Sequence, residues 1–443
     1  MKTTEKNLPF RAVFYNQEKL HSLADVVTPP YDVITPEMQN NLYQKSPHNF
    51  CRIDLTRESA PQRYEIAKTT YDEWIKQGVL VHDAQPALFL HFHSFRLPNG
   101  QAVVRRGLFV SRRLEDFSEG GIKPHEKTLS GPKQDRLELS RHLMAQLSPI
   151  FALYHDPENK IMNHLEQIGK ATPFMDFISH DSERHQLWKI RDPELCLFID
   201  KHLSESPLFI ADGHHRYETA LNHRNEMIAE HPDLPASAAI RHVLFYVSSM
   251  DDPGMVILPI HRAVHGLAGF SLPDFLEKLG KDFTIETCLC RNEVESETIL
   301  SRFADTHHCF LLIAKDPEQS HLVKISKQSW LEHPAAQGIP TALATLDVTV
   351  LHRLILENIL GIDEAAQAEQ KNLVYWKSTK QAMAETRHGP CQLTFLLNPT
   401  LIEQMREAAQ AGHKMPQKST FFYPKIVSGL LLHDVSTGKN DGF

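Results

Sequence analysis

The sequence lacks the features that mark several classes of protein. None of its 443 residues belongs to an uninterrupted apolar run of about eighteen, the length a membrane-spanning helix needs, so we expect no membrane segment. The opening stretch MKTTEKNLPFRAVFY holds no continuous apolar region, and we expect no secretory signal. The six cysteines form no C-x-x-C pair, which argues against a zinc ribbon or disulfide scaffold and favours reduced thiols in the cytoplasm.

An excess of basic residues over acidic ones is also lacking. Lysine and arginine number 47 against 55 acidic residues, the net charge is −8, and no helix-turn-helix pattern is evident. A chain built to neutralise nucleic-acid phosphates would carry the opposite sign, so we expect no nucleic-acid partner. The metalloprotease pattern H-E-x-x-H and the phosphate-loop pattern G-x-x-x-x-G-K-[ST] are absent too, which argues against those two kinds of site.

The composition that is present is that of a globular protein. Hydrophobic residues make up 41% and charged residues 23% of a chain too long for one ordinary core. Helical and strand patterns alternate, so the expected fold class is α/β with mixed sheets. The glycines at 266 and 269 mark the best boundary. It separates an N-terminal domain, 1–265, from a C-terminal α/β domain, 270–443, which we expect to cap a site in the first.

Several local elements follow from periodicity and turn chemistry. Apolar residues at helical spacing predict a helix over 61–78 and another over 346–360. The turn Pro98-Asn99-Gly100 predicts a hairpin between 87–95 and 102–110. A short apolar run predicts a buried strand over 150–154.

The sharpest local signal is the junction Asp212-Gly213-His214-His215-Arg216, predicted to lie between a strand and a helix. A helix N-terminus presents unpaired N–H groups and partial positive charge, which favour a phosphate or carboxylate. Gly213 permits close backbone approach, Arg216 can hold two oxygens, and the imidazoles can donate, accept or attack. The alternative is that Asp212 caps the helix and the basic side chains are solvated.

A second cluster lies in the polar segment 124–136, which has little apolar content. The segment is either a solvated loop or an anion-binding loop that opens a helix at Pro132. Its candidate ligand and catalytic groups are His125, Glu126, Lys127, Thr128, Ser130, Lys133 and Arg136.

Two further segments are weaker candidates. Adjacent Asp251 and Asp252 suit Mg²⁺ or a general base, although Asp-Asp-Pro-Gly is also an ordinary turn. The basic and aromatic stretch 413–425, which includes Lys418, fits a loop that caps a ligand. No spacing ties the histidines and aspartates into a zinc site, so the metal expected is Mg²⁺ arriving with a phosphate.

Seven strings are long enough to be specific: TPPYDVI (28–34), RIDL (52–55), HEKTLSGPKQDR (125–136), SPIFALY (148–154), IADGHHRYETAL (210–221), MDDPGMVILPIHR (250–262) and MPQKSTFFYPKIVSGLL (415–431). Together they resemble the bacterial and archaeal domain-of-unknown-function family 1015 over nearly the whole chain. That family name carries no assigned reaction.

More distantly, the turn at 212–216 resembles the phosphate-binding turn of the ParB/sulfiredoxin superfamily, which includes ADP-dependent free-serine kinases. The resemblance implies a ParB/sulfiredoxin-like core whose turn amides, His215 and Arg216 hold a nucleotide or substrate phosphate. Sulfiredoxin's turn reads Gly-Cys-His-Arg, and this chain has His214 where that turn has its nucleophilic cysteine. Sulfinic-acid repair by the same chemistry is therefore excluded.

The leading hypothesis is a phosphoryl-transfer enzyme, kinase or phosphatase, acting on a small metabolite such as serine or phosphoserine. The expected partners are a small phosphorylated metabolite or nucleotide, with ATP or ADP and Mg²⁺ as cofactors. The alternative is a non-catalytic, ParB-like nucleotide-sensing module. The predicted catalytic residues are His214, Asp212, His125 and Glu126. The predicted phosphate or substrate ligands are Gly213, His215, Arg216, Lys127, Thr128, Ser130, Lys133, Arg136 and Lys418, and the predicted metal ligands are Asp251 and Asp252.

Overall fold

A computed structural model describes residues 5–126 and 131–436. The chain divides into two compact units. The first unit comprises Met1–Pro124, Thr128–Met255 and Pro424–Phe443, and the second comprises His125–Lys127 and Val256–Tyr423. The predicted division at 266–269 stays a prediction.

A nine-stranded mixed sheet organises the first unit. Strand Leu208–Asp212 runs parallel to Ile122–Lys123, and His242–Ser249 runs parallel to Ile150–Tyr154, while the other pairs are antiparallel. All eight residues of His242–Ser249 are buried, as expected for a strand covered on both faces. The strand order is Ile122–Lys123, Leu208–Asp212, Ile150–Tyr154, His242–Ser249, Ala102–Arg113, Leu88–Arg96, Arg184–Ile190 and Met175–Ile178, with Asn7–Leu8 paired to Ala102–Arg113.

A second, four-stranded sheet and a set of helices complete the first unit. The sheet order is Leu80–His82, Ala12–Tyr15, Leu432–Asp434 and Ala145–Gln146. The helices are Pro36–Lys45, Cys51–Asp54, Gln62–Lys76, Gly131–Leu143, Lys160–Lys170, Pro193–Ser204 and His214–Glu230. The short 3₁₀ turns are Gln17–Lys19, Leu23–Asp25, Tyr31–Val33, Phe117–Glu119 and Ala239–Arg241.

The second unit is built on a six-stranded antiparallel sheet. Its order is Thr284–Cys288, Ser320–Ser326, His307–Ile313, Leu393–Leu397, His261–Val264 and Leu373–Trp376, and Val256–Leu258 pairs separately with Phe421–Tyr423. The helices are Leu272–Leu279, Glu293–Ser301, Lys327–Glu332, Thr341–Ala344, Asp347–Val350, Glu364–Glu369, Thr379–Arg387 and Ile402–Gln410, with a 3₁₀ turn at Pro334–Ala336 and a π-helix at Leu351–Ile359.

The mixed α/β class predicted from the sequence is confirmed. The predicted hairpin is present as Leu88–Arg96 paired with Ala102–Arg113, and the first predicted helix is Gln62–Lys76. The predicted helix over 346–360 is present, but it changes from α to π geometry at Leu351. Within the described residues, no helix combines the length and apolarity that crossing a bilayer would require.

Candidate functional site

The predicted junction of strand and helix forms as expected. Strand Leu208–Asp212 leads into Gly213, which adopts φ 95° and ψ 27°, and helix His214–Glu230 begins at the next residue. This left-handed conformation favours glycine. A Cβ at position 213 would lie 3.1 Å from the guanidinium of Arg216, whose side chain folds back over the turn.

Asp212 does not cap this helix. Gly213 occupies the capping position, and Asp212 instead makes ion pairs with Arg216 Nη2, at 2.5 Å, and with Lys425 Nζ. Burial alone would raise the pKa of Asp212, but the charges of Lys425 and Arg216 outweigh it and hold that pKa well below its usual range. Asp212 is therefore a carboxylate shared between two cations.

Arg216 points toward a cavity in the first unit. Its Nη1 donates to the Pro149 carbonyl at 2.5 Å, so the backbone before strand Ile150–Tyr154 fixes the side chain. Fifteen per cent of the Arg216 side chain is exposed, and it lines the cavity. The next residue also anchors this helix, because the Tyr217 hydroxyl donates to the Glu115 carbonyl at 2.6 Å.

Arg136 reaches the same cavity from helix Gly131–Leu143, which packs against helix His214–Glu230. Its Nη1 donates to both the backbone carbonyl and Oδ1 of Asp54, each at 2.9 Å, and its Nη2 donates to Asp135 at 2.7 Å. The guanidinium carbon lies 4.2 Å from the centre of the Tyr31 ring. The structure thus brings two of the predicted phosphate ligands, Arg136 and Arg216, to one place.

The cavity has a volume of about 60 Å³. Two of its buried polar atoms, Asp54 Oδ2 and Thr219 Oγ1, have no hydrogen-bond partner within the described residues. Burial raises the pKa of Asp54, and the opposing charges of Arg136 and Arg216 do not reverse the shift. A carboxylate with one free oxygen and a raised pKa is suited to accepting a proton.

Helix His214–Glu230 places its two predicted histidines differently. His214 is 7% exposed, and its charge contributes to lowering the pKa of Asp212, so the two groups are close. His214 is not among the residues that line the cavity, whereas Arg216 and Thr219 are. His215 is half-buried. The catalytic role predicted for His214 stays a prediction.

Three other predicted residues belong to the second unit. His125 is fully buried, and its Nε2 lies 2.9 Å from Thr420 Oγ1. The Glu126 carboxylate accepts a hydrogen bond from the backbone N–H of Lys418 at 2.5 Å, and Met415 N–H donates to the His125 carbonyl at 2.8 Å. Residues 125–126 and the segment 415–420 therefore form one cluster. This cluster belongs to the second unit, whereas the turn at 212–216 belongs to the first.

Four predicted ligands cannot be placed. Lys127, Thr128 and Ser130 lie outside the described residues. Lys133 lies on helix Gly131–Leu143, but its side chain is outside the described part. Their roles stay predictions.

The predicted metal ligands are engaged by protein groups. Asp252 Oδ2 accepts from Arg106 Nε at 2.8 Å, and Asp252 Oδ1 accepts from Gly254 N–H at 2.8 Å. Asp251 Oδ2 accepts from the backbone N–H of Asp156 at 3.0 Å. These contacts are those of a structured turn, and a metal at Asp252 would have to displace Arg106.

One group of three side chains in the described ranges has metal-ligand spacing: His93, Glu183 and His185. Arg105 Nη2 lies 3.0 Å from His93 Nδ1, and arginine can only donate, so the proton of His93 is on Nε2. That Nε2–H points at Glu183 Oε2, 2.8 Å away. Because this nitrogen has no lone pair to offer in that state, we assign no metal here.

Three residues of the site were not singled out in the sequence, although Lys425 is the last residue of the segment 413–425 that was expected to cap a ligand. Tyr31 and Asp54 line the cavity, and Lys425 pairs with Asp212. All three fall inside strings that carry the family resemblance, TPPYDVI, RIDL and MPQKSTFFYPKIVSGLL. Their position inside these strings was the one feature of the sequence that could have pointed to them. The strings are distant from one another in the sequence, and nothing in them indicates that they come together in the fold.

Comparisons with known proteins place the sequence in a family. A family model described as "Protein of unknown function (DUF1015)" matches residues 8–349. A search of curated proteins gives no match.

Several solved structures match at low similarity. Free serine kinase in complex with AMP is 14% identical, with 71% of this chain and 86% of the kinase covered and a TM-score of 0.32. A conserved hypothetical protein from Pyrococcus furiosus is 15% identical, with 73% and 94% covered and a TM-score of 0.33. SbnI with C-terminal truncation from Staphylococcus aureus is 9% identical, with 72% and 85% covered and a TM-score of 0.34. These TM-scores are too low to define a shared fold.

Proposed function

The chain belongs to the DUF1015 family, and we propose that it is a phosphoryl-transfer enzyme whose phosphate site is the cavity beside the turn at 212–216. The observation that carries the proposal is the convergence of Arg136 and Arg216, from two packed helices, on a cavity that also holds the free oxygen of Asp54. Cationic donors to the phosphoryl oxygens and a group that orients or deprotonates the nucleophile are parts that recur in phosphoryl-transfer sites.

The size of the cavity supports a phosphate group as its occupant. Its volume of about 60 Å³ corresponds to roughly four to six water positions. This space suits one phosphoryl group and not a whole nucleotide. The substrate we propose is therefore a small phosphorylated metabolite such as phosphoserine, or a nucleotide that inserts only its terminal phosphate.

The charges around the cavity are balanced before a ligand binds. Arg216 is paired with Asp212, and Arg136 is paired with Asp54 and Asp135. A phosphate entering between the two arginines would share their N–H donors with these carboxylates. Both arginines are held in place in advance, which lowers the cost of ordering them on binding.

Asp54 is the proposed general base. Its Oδ1 is fixed by Arg136, while Oδ2 is free to take a proton from an acceptor hydroxyl or from water. Transfer to a hydroxyl would make the protein a kinase, and transfer to water a phosphatase, and the same arginine pair serves both. His214 is the alternative candidate for a direct role in phosphoryl transfer. Mutating Asp54 and His214 one at a time distinguishes the two candidates.

The test is an assay of turnover. The protein is incubated with ATP or ADP plus serine, and separately with phosphoserine, with and without Mg²⁺, and products are followed by phosphorus NMR. We expect transfer or release of phosphate. Arg216→Gln should lower kcat/KM about ten- to hundredfold, because a charge-assisted hydrogen bond contributes about 1.5–3 kcal/mol.

The matched control is Arg141→Gln. Arg141 lies on the same helix as Arg136 but pairs with Glu226 at 2.6 Å and does not line the cavity. It should leave turnover unchanged. Loss of activity in Asp54→Asn but not His214→Asn would identify the base. Tight nucleotide binding without turnover of any substrate would instead favour a sensing module.

A further inference from the structure

The second unit contains a cavity of about 260 Å³ that the proposed phosphate site does not use. One wall is the helical segment that carries Thr349 and His352, next to Tyr375 of strand Leu373–Trp376. The rest of the lining combines apolar residues, among them Ile339, Leu343 and Met415, with Arg353, Glu357, Glu364 and Lys414, and Arg353 and Glu357 pair with each other at 2.8 Å. An apolar cavity of about 150 Å³ can hold a benzene molecule, so this one has room for a single ring with a polar substituent.

One polar group in the wall is buried without a partner among the described residues, and two more line the cavity beside other residues. Thr349 Oγ1 is buried without a hydrogen bond, and the residue is 4% exposed. His352 is 8% exposed, and its only ring contact in the described chain is at Nε2. The Tyr375 hydroxyl likewise has no hydrogen bond to any described residue, although its ring lies 5.3 Å from the guanidinium carbon of Arg262. Buried polar groups are normally satisfied, so the unpaired Thr349 hydroxyl indicates a ligand, and the His352 ring and the half-buried Tyr375 hydroxyl line the same cavity.

The state of His352 follows from its neighbour. Arg262 Nε lies 3.2 Å from His352 Nε2, and since arginine only donates, that nitrogen accepts. The proton of the neutral ring is therefore on Nδ1. His352 thus presents an N–H donor, polarised by the guanidinium behind it, and the hydroxyls of Thr349 and Tyr375 can donate beside it.

Arg262 makes the cavity attractive to negative charge. Its side chain is 2% exposed, and its hydrogen-bond acceptors in the described chain are neutral: the carbonyls of Ile260, Gln417 and Lys418, and the His352 ring. The carboxylate that acts on its pKa is Glu126, which already accepts from the Lys418 N–H. A buried guanidinium without a directly bonded carboxylate favours an anion nearby.

We propose that this cavity binds a small organic carboxylate with an apolar body. The carboxylate accepts hydrogen bonds from Thr349, His352 and Tyr375, and the body packs against Ile339, Leu343 and Met415. The site is independent of the proposed phosphoryl transfer, because it is formed by other residues in the other unit.

The test is a binding titration of the full chain by calorimetry and saturation-transfer NMR. The probes are propionate, benzoate, phenylacetate and indole-3-acetate, each paired with its primary amide. We expect at least one carboxylate to bind saturably and its amide to bind about fivefold more weakly, since a hydrogen bond to a charged group exceeds a neutral one by about 1 kcal/mol.

Two variants localise the binding. Thr349→Val and Tyr375→Phe should each weaken binding of the carboxylate about ten- to hundredfold, by the loss of one donor to a charged group. Thr349→Val should not lower the melting temperature of the free protein, because its hydroxyl has no partner there. The control is Thr345→Val, whose hydroxyl donates to the Ala342 carbonyl at 3.2 Å and does not line the cavity.

Three results would overturn the proposal: no probe binds, carboxylates bind no better than amides, or Thr349→Val and Tyr375→Phe both bind like the wild type. Should one variant fail to fold, the other still decides, because each removes a different donor.

Discussion

Replacing Asp212 by Asn removes the negative charge that Arg216 and Lys425 share, while keeping the shape of the side chain. Both cations are largely covered, with 15% and 18% of their side chains exposed. Breaking a buried ion pair costs about 3–5 kcal/mol, and the partial exposure of this one places the expected loss in the free energy of unfolding at about 2–4 kcal/mol.

The loss should depend on pH with a definite sign. The pKa of Asp212 is lower in the folded than in the unfolded protein, because the attraction of Lys425 and Arg216 outweighs burial. Its stabilising effect is therefore fully present above the unfolded pKa of about 3.9 and is lost as the pH falls through the folded value. The difference between wild type and Asp212→Asn should shrink as the pH is lowered from about 5 toward 2.

The same variant should respond more strongly to phosphate. With Asp212 neutral, Arg216 and Lys425 lose the carboxylate that pairs with both, although Asp32 still acts on Lys425, and a phosphate can take the place of that carboxylate. Stabilisation by a ligand reaches about 2.7 kcal/mol at a concentration a hundred times its Kd. Phosphate should therefore recover most of the lost stability in Asp212→Asn and raise that of the wild type less.

The assay is hydrogen exchange of the segment 208–230, followed by mass spectrometry from pH 2 to 7 with and without phosphate, which reports stability at the turn itself. Asp176→Asn is the control, since Asp176 pairs with Arg184 on the surface of the same unit and should change stability by less than about 1 kcal/mol. Equal protection of Asp212→Asn and the wild type, or an equal response to phosphate, would refute the reasoning.

Three further predictions concern the same unit. Gly213→Ala should lower the free energy of unfolding by about 1–3 kcal/mol, because φ is 95° and the added methyl would lie 3.1 Å from the Arg216 guanidinium. A melting temperature and a phosphate affinity equal to those of the wild type would contradict this. Arg136→Met should lower the free energy of unfolding by about 3–5 kcal/mol at neutral pH, because Asp54 is left buried without its cation. Calorimetry should show a smaller loss of stability in acid, and a loss that does not vary with pH would be inconsistent with this reasoning. Burial raises the pKa of Glu183 to about 7, so the stability that protonated Glu183 contributes is present below the unfolded pKa and is lost as the pH rises through 7. Glu183→Gln should abolish this decline in the free energy of unfolding. Parallel stability profiles of the variant and the wild type against pH would contradict the prediction.

The sequence was most informative where structure is local. The hairpin of residues 88–113 follows from alternating strands around a Pro-Asn-Gly turn, and the junction at 212–214 from an apolar strand, a glycine and a helical stripe. In each case the deciding interactions lie within a few residues, so the pattern in the sequence is sufficient.

The contacts of the site could not be predicted because they are distant in the sequence. Lys425 pairs with Asp212 across 213 positions, and Arg136 bonds Asp54 across 82. The isolated turn 212–216 suggested either an Arg216 available to a phosphate or, as the alternative, an Asp212 that caps the helix beside solvated basic residues, whereas the two side chains bind each other. Nothing in the turn itself discloses the residues that balance its charge.

The most direct measurement of the proposed phosphate site is crystallographic. Crystals grown with tungstate, a heavy analogue of phosphate, would show its position by anomalous scattering. We expect a peak in the cavity, with oxygens about 2.7–3.2 Å from the guanidinium nitrogens of both Arg136 and Arg216, and no such peak in crystals of Arg216→Gln. An empty cavity in crystals that bind tungstate elsewhere, with both arginines still held by their carboxylates, would contradict the proposed site.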